Sequence, residues 1–341
     1  MTIDQPTPGS LMRAEAAEAP GVILNHLSRN LSRQDILGPL DTPRAIYSVA
    51  RGSSDAAATV FNYAAMERLG LPATTLPPSV FSIGTGVAMQ DALVFAISQS
   101  GASADLVAAT RGAAQGGARV VAVTNVDGSE IEAAAHHRIP ILAGPERAVP
   151  ATKSVAGAIA AGVTLIAALD PDYAETQAVF AANTGPDDFG HIETDVPLAQ
   201  RITEAQHIYV IGRQQMYGAA QEIALKIKEC CAIHAEAYSA TEVLHGPLQL
   251  SSTRLLTLIL DSGDSRLQSG LDTAQARFTA AGSQVLRLRS GLSRRGNAAA
   301  CGAILAAELL TGLYPEICSA ALMLGHDPDS PNLLNKVTQT T

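Results

Sequence analysis

Residues 209–248 read YVIGRQQMYGAAQEIALKIKECCAIHAEAYSATEVLHGPL, and the fold follows from how that stretch changes its period. A short apolar run, Ile208 to Ile211, ends in Gly212-Arg213. Small and apolar residues then recur at helical spacing at Ala219, Ile223 and Ile227, flanked by Ala220, Ala224 and Cys231. A strand therefore feeds a helix. On that helix Lys226 and Glu229 share a face, while Lys228 points elsewhere. An ammonium beside a carboxylate can hold it ionised as a proton shuttle. Charges on a helix, taken alone, describe a solvated face. The run that follows, with His234, Glu236, Tyr238, Glu242 and His245 before Gly246-Pro247, is dense in titratable groups for a mere connection.

The same alternation extends outward. Ala45 to Ala50 reads as a strand that meets Arg51-Gly52-Ser53-Ser54 and an Ala-rich helix to Leu69. Ala92 to Ile97 is a second strand, ending in Ser98-Gln99-Ser100-Gly101-Ala102-Ser103 ahead of a helix from about Ala104, and Arg119 to Val123 is a third. Beyond the central stretch come a strand (Leu255 to Leu260), a helix (Ser265 to Ala281), a strand (Gln284 to Leu288) and a long apolar helix to Leu324. Strands alternating with helices predict an α/β protein with doubly wound parallel sheets. Arg51 and Arg213 both end a strand, Gly101 and Gly263 both sit in a Ser-Gly turn, and the members of each pair are 162 residues apart. The chain is a tandem duplication.

The two hydroxyl-rich turns lie where strands end and helices begin, so free amides and the helix dipole attract an anion. Ser100 and Ser103 add donors, and Gly101 lets the backbone come close. Such serines also serve simply as N-caps. In the second half Asp261 and Asp264 would repel a phosphate, so only the first half is expected to bind one.

Hydrophobic residues make up 47% of the 341, charged residues 16%, and the net charge is −9. This describes a globular chain and argues against nucleic acid as a partner. The four cysteines form no CxxC pair and read as reduced core thiols, with no metal site and no cofactor expected. No secretory signal is visible. Val155 to Leu169, taken as the longest apolar stretch, is too short to span a bilayer, so a cytoplasmic protein without a membrane partner is expected.

The run ALKIKECCAIHAEAYSATEVLHGPL resembles the catalytic segment of the isomerase half of glucosamine-6-phosphate synthases, and the likeness extends from Met12-Arg13-Ala14-Glu15 to Lys336. The chain is thereby similar to double sugar isomerase (SIS) domain proteins. The resemblance implies two tandem flavodoxin-like SIS domains with an additional helical N-terminal segment. The expected divisions are an N-terminal arm and helices (1–37), with residues 1–10 loose and the helical pattern from Leu11 to Leu37 broken at Pro20-Gly21; a first SIS domain (38–170); a linker (171–195); a second SIS domain (196–325); and a C-terminal active-site loop (326–341). The helix opened by Pro150 to Lys153 is expected to pack against the second half or across a dimer interface.

By the same resemblance Glu229 carries a proton between C1 and C2 of a sugar, with Lys226 beside it. His245 assists ring opening, reaching in from the partner subunit of a homodimer, and Lys336 forms an imine with a ketose. Ser53, Ser54, Ser98, Gln99, Ser100, Gly101 and Ser103 hold a 6-phosphate, with Thr152 nearby. His234 and Glu236 support these groups from behind, while His136 and His137 are structural. The family's SQSGET reads SQSGAS here, and Ser103 keeps the hydroxyl. The amidotransferase half with its N-terminal cysteine is absent, so glutamine is not expected to donate ammonia within this chain. The favoured reading is a deaminase releasing ammonia from glucosamine 6-phosphate. The alternatives are an aldose/ketose isomerase or a deglycase acting on another amino sugar phosphate, and a non-catalytic sugar-phosphate sensor. The sensor class carries a basic helix-turn-helix segment, and none is apparent.

Overall fold

The computed structural model describes residues 7–194, 196–294 and 301–336. The first half runs α1 (Ser10–Leu27), α2 (Arg33–Leu37), β1 (Ala45–Val49), α3 (Ser53–Leu69), β2 (Ala73–Thr75), α4 (Ser79–Ser82), β3 (Ala92–Ser98), α5 (Ala104–Gln115), β4 (Arg119–Thr124), α6 (Glu130–Ala134) and β5 (His137–Pro140). Helices α7 (Lys153–Leu169) and α8 (Pro171–Ala182) lead to the second half. That half runs β6 (Ile192–Glu193), α9 (Leu198–Glu204), β7 (His207–Gly212), α10 (Gln215–Cys231), β8 (His234–Ser239), β9 (Leu255–Asp261), α11 (Gln268–Ala280), β10 (Gln284–Ser290) and α12 (Gly302–Met323).

The first sheet has the order β2-β1-β3-β4-β5 and is parallel throughout. The second has the order β6-β10-β9-β7-β8, parallel except for β6. In both halves the chain reverses direction across the sheet beside the first strand, between β1 and β3 or between β7 and β9. That reversal leaves a crevice at the carboxyl ends of the strands. The expected linker therefore contributes an antiparallel edge strand, β6, to the second sheet.

Strand β3 shows why both faces are covered: all seven of its residues are buried. Leu93, Phe95 and Ile97 face a core shared between the halves, while Ala92, Val94 and Ala96 face an outer core under α5. Strand β9 divides likewise, with Leu256, Leu258 and Leu260 in the shared core and Leu255 and Ile259 under α11. The shared core is built on α1, α3, α7, α10 and α12. Helix α7 packs on α1, α3 and α12 of its own chain, which is the first of the two expected roles for that segment.

The repeat extends to the backbone. Helices α3 and α10 each have 17 residues and start 162 positions apart, at Ser53 and Gln215. Each is preceded by a left-handed residue, Gly52 (φ 54°) or Gln214 (φ 52°). A non-glycine residue there is strained and persists because the strand and helix on either side dictate the turn.

Three local expectations differ. Helix α1 runs unbroken through Pro20, because burying Met12, Ala16, Ala19 and Ile23 outweighs the local cost of a proline, about 3 kcal/mol. The break falls instead before Ser32, whose hydroxyl caps α2. Of the expected loose arm, residues 1–6 lie outside the described residues and Ser10 is already helical. Helix α12, longer than Val155 to Leu169 and apolar enough to cross a membrane, has 78% of its apolar window buried inside the fold and is a core helix.

The halves meet closely where α3 crosses α10. A Cβ on Gly218 would stand 2.6 Å from a Val60 methyl and 2.7 Å from the Ala56 carbonyl oxygen. Gly218→Ala is therefore expected to destabilise the chain by about 1–3 kcal/mol. Gly21→Ala, at an exposed position of α1 with nothing within 4 Å, should stabilise it by about 0.5–1 kcal/mol. Urea midpoints shifting in opposite directions check both; equal shifts would contradict the packing account.

Candidate active site

Helix α10 aligns Glu222, Lys226 and Glu229 on one face, at intervals of four and three residues. The Lys226 side chain is 1% exposed. Its ammonium donates to the Ser53 hydroxyl at the start of α3 (3.0 Å), contacts Glu229 Oε2, and lies 3.5 Å from Glu222 Oε1. Tyr314 of α12 donates its hydroxyl to Glu222 at 3.2 Å. Burial pushes the Glu222 carboxyl up to about 7, against the pull of Lys226. Burial also opposes the Lys226 charge, but Glu222 and Glu229 outweigh it and hold the ammonium above its ordinary range. Lys226 is thus a fixed cation and not a base. Glu229, 22% exposed, is the most open member of the cluster and lines a cavity.

That cavity, of about 330 Å³, lies at the carboxyl ends of β1 and β3. Ser53, Ser54, Ser98, Gln99, Ser100 and Ser103 line it, together with Lys226, Glu229 and Lys336. Gly101 shapes the turn at φ 63°, and a Cβ there would collide with the Ser129 side chain at 2.3 Å. Its amide is held by the Ser98 hydroxyl at 3.1 Å. The starts of α3 and α5 both face this space, which suits an anion. Arg51 adds a cation at the wall, oriented by buried Asp105 at 3.0 Å.

Lys336 reaches the cavity from the C-terminal loop. Its ammonium donates to the Ala148 carbonyl (2.7 Å) and to Glu146 Oε2 (3.2 Å). Two carboxylates tie these segments to α1. Asp329 accepts the Leu11 and Met12 amides at 3.0 and 2.8 Å, and its carbonyl accepts the Val149 amide at 2.9 Å. One turn along the same face, Glu15 accepts the amides of Arg147 and Ala148.

Other expected residues lie elsewhere. Thr152 is fully buried behind the wall, its amide on Glu146, and its hydroxyl has no hydrogen-bond partner among the described residues. His245 is exposed beyond a short turn of the second half and does not line the cavity. Glu236 accepts the Tyr238 hydroxyl at 2.8 Å, and His234 stands edge-on to His207; neither lines this cavity. His136 accepts the Val120 amide, a structural contact. All four cysteines are buried and free, with burial pushing Cys231 up to about 12. Among the described residues no group of His, Cys, Asp and Glu could hold a metal ion.

In the second half the counterpart turn is closed by its own charge. Buried Asp261 accepts from Gly263 (2.8 Å), Arg287 (2.8 Å) and Arg289 (2.7 Å), and Arg266 pairs with Asp264. The aspartates there fill the place of an anion.

Sequence reasoning missed Glu222, Glu146, Tyr314, Arg51 and Glu15. Glu222 was findable, since it stands four residues before Lys226 on the same helix face. Glu146 and Tyr314 carry no local signal.

A profile of the SIS domain family matches residues 40–168 and 201–282. A glutamine–fructose-6-phosphate aminotransferase (isomerizing) from Symbiobacterium thermophilum is 33% identical over 74% of the chain, which spans 42% of that relative's length. A solved protein from Silicibacter pomeroyi DSS-3, assigned provisionally as a phosphosugar isomerase, is 30% identical with a TM-score of 0.73, covering 95% of this chain and all 100% of that one. The fold also matches a glucosamine-6-phosphate deaminase from Thermotoga maritima, at TM-score 0.74 and 17% identity over 97% of this chain and 100% of that one.

Replacing Lys226 by Met would leave Glu222 and Glu229 without a counter-ion. A loss of about 3–5 kcal/mol is expected in weakly alkaline buffer. The loss should shrink in acid, where Glu222, whose pKa is already raised, takes up a proton and the repulsion ends. Urea unfolding at the two pH values checks this, and a pH-independent loss would contradict the charge account.

Proposed function

The chain belongs to the SIS domain family, whose members matched above include phosphosugar enzymes, and from that premise we propose that it is an amino sugar phosphate isomerase acting as a glucosamine-6-phosphate deaminase. The observation that carries the reading is one cavity lined both by a cluster of serines suited to an anion and by a lysine-backed carboxylate, Glu229.

In this reading the 6-phosphate sits on the Ser98–Ser103 turn and the start of α3, with Arg51 at its flank. The open-chain sugar then extends toward Glu229. The Glu229 carboxylate removes the C2 proton and returns it at C1 while a proton passes from the amine to the C1 oxygen, leaving a C1 alcohol and a C2 imine. Water adds to that imine, the C–N bond breaks, and fructose 6-phosphate and ammonia leave. Lys226, in contact with Glu229, holds that carboxylate in place. Ring opening requires a further acid, and His245 would supply it from a second copy of the chain. The exposure of His245 and the open cavity of about 500 Å³ beside Glu229, between the end of α10 and the C-terminal loop, support such an entry. The same base and cradle also suit an aldose/ketose isomerase or a deglycase on another amino sugar phosphate.

Ammonia release from glucosamine 6-phosphate, coupled to detection of fructose 6-phosphate, tests the reading. Glu229→Gln should lower the rate by about a hundredfold or more while sugar-phosphate binding persists. Equal rates in the two proteins would remove Glu229 as the base. Turnover of galactosamine 6-phosphate or of a glycated amino acid phosphate in place of glucosamine 6-phosphate would transfer the assignment to the second reading.

A further inference from the structure

We infer that Tyr314 is a positioning residue for the base: by donating its hydroxyl to Glu222 it leaves the Lys226 ammonium turned toward Glu229. The inference rests on the reading of Glu229 as the group that moves the proton, and it adds to that site a residue of α12 that does not line the cavity.

The geometry of the ammonium carries it. Lys226 stands between two carboxylates of its own helix and divides itself unequally: it contacts Glu229 Oε2 but lies 3.5 Å from Glu222 Oε1. The Glu222 side chain is 0% exposed and that of Glu229 22%, so by burial alone the ammonium should favour Glu222, whose anion has no access to water. It does not. What Glu222 has in its place is Tyr314, whose hydroxyl donates to the same Oε1 at 3.2 Å. Helix α12 packs along α10 and brings this ring in fully buried, where a phenol hydroxyl needs an acceptor. Glu222 Oε2 has no hydrogen-bond partner among the described residues, so its charge is met at Oε1.

Burial, and after it the charges of Glu222, Glu146 and Glu229, push the Tyr314 hydroxyl well above its ordinary range, so it stays a donor. Glu222 itself titrates near neutrality. Burial raises it to about 7 against the pull of Lys226; Glu229 raises it further, and the hydroxyls of Ser53 and Tyr314 lower it. These groups face it from α3, α10 and α12. Below that point Glu222 is neutral and does not compete for the ammonium; above it, Glu222 is an anion and does. Without the phenol hydroxyl the anion would draw Lys226 across to itself. Glu229 would then lose the contact that holds it at the cavity.

Turnover of the sugar phosphate by the full chain tests this, with Tyr314→Phe compared with the native protein at about pH 6 and about pH 9, on either side of the Glu222 midpoint. The ring fills the same space, so the variant should fold. At the alkaline pH its kcat is expected to fall about tenfold, with KM changed less than about twofold because the serine cradle is untouched. At the acid pH the two proteins should agree within about twofold. In a Glu222→Gln background, where position 222 carries no charge to draw the ammonium away, Tyr314→Phe should cost less than about twofold at either pH. An alkaline kcat equal to the native one overturns the inference. So does a loss of the same size at both pH values or in both backgrounds, which a merely structural hydroxyl would give. Failure of the native protein to turn over any of the sugar phosphates named above would overturn the reading of the site, and this inference with it, whereas native turnover that Tyr314→Phe leaves unaffected overturns this inference alone.

Discussion

A lysine ammonium buried between two halves of a duplicated fold is the constraint on which this structure turns. Lys226 can exist at that depth only because α10 places Glu222 and Glu229 on its own face and α3 brings the Ser53 hydroxyl from the other half. Removing the ammonium would leave two carboxylates together in a medium that cannot solvate their charge. The close crossing of α3 and α10, permitted by Gly218, is therefore part of the site as much as of the core. It brings the carboxylate of one half within one small cavity of the anion cradle of the other.

Duplication supplied two turns of the same backbone, and charge made them unequal. In the first half, serines and the start of α5 leave a space that an anion can enter. In the second, Asp261 takes the donors of Gly263, Arg287 and Arg289 for itself. In the proposed reading one half binds the phosphate and the other contributes the base. A single-copy fold would have to build both functions on one sheet edge.

Helix α1, outside the repeat, joins the remaining pieces. Asp329 caps its first turn and Glu15 holds the loop bearing Ala148, so the C-terminal loop and the wall that receives Lys336 are attached to the same helix face. The loop that carries Lys336 is thereby given a fixed docking point on the fold. Glu146 completes that docking from within.

Much of this was legible in the chain as written. The change from an apolar run to helical spacing at Gly212, the serines after Ile97 and the 162-residue repeat follow from local periodicity and turn chemistry, which depend only on neighbours in sequence. So does the pairing of Lys226 with Glu229, because helix geometry sets which residues share a face. The uninterrupted course of α1 through Pro20 was not legible, since burial against α7 decides it against local propensity. Nor were Glu146, Tyr314 and Glu15, whose contacts with Lys336, Glu222 and the 147–148 amides join residues far apart in the chain. Sequence by itself determined the elements, their duplication and the chemical groups available. Only tertiary structure decided which charges are buried together, because the energy of a buried charge depends on distances and desolvation that exist only once the halves have packed.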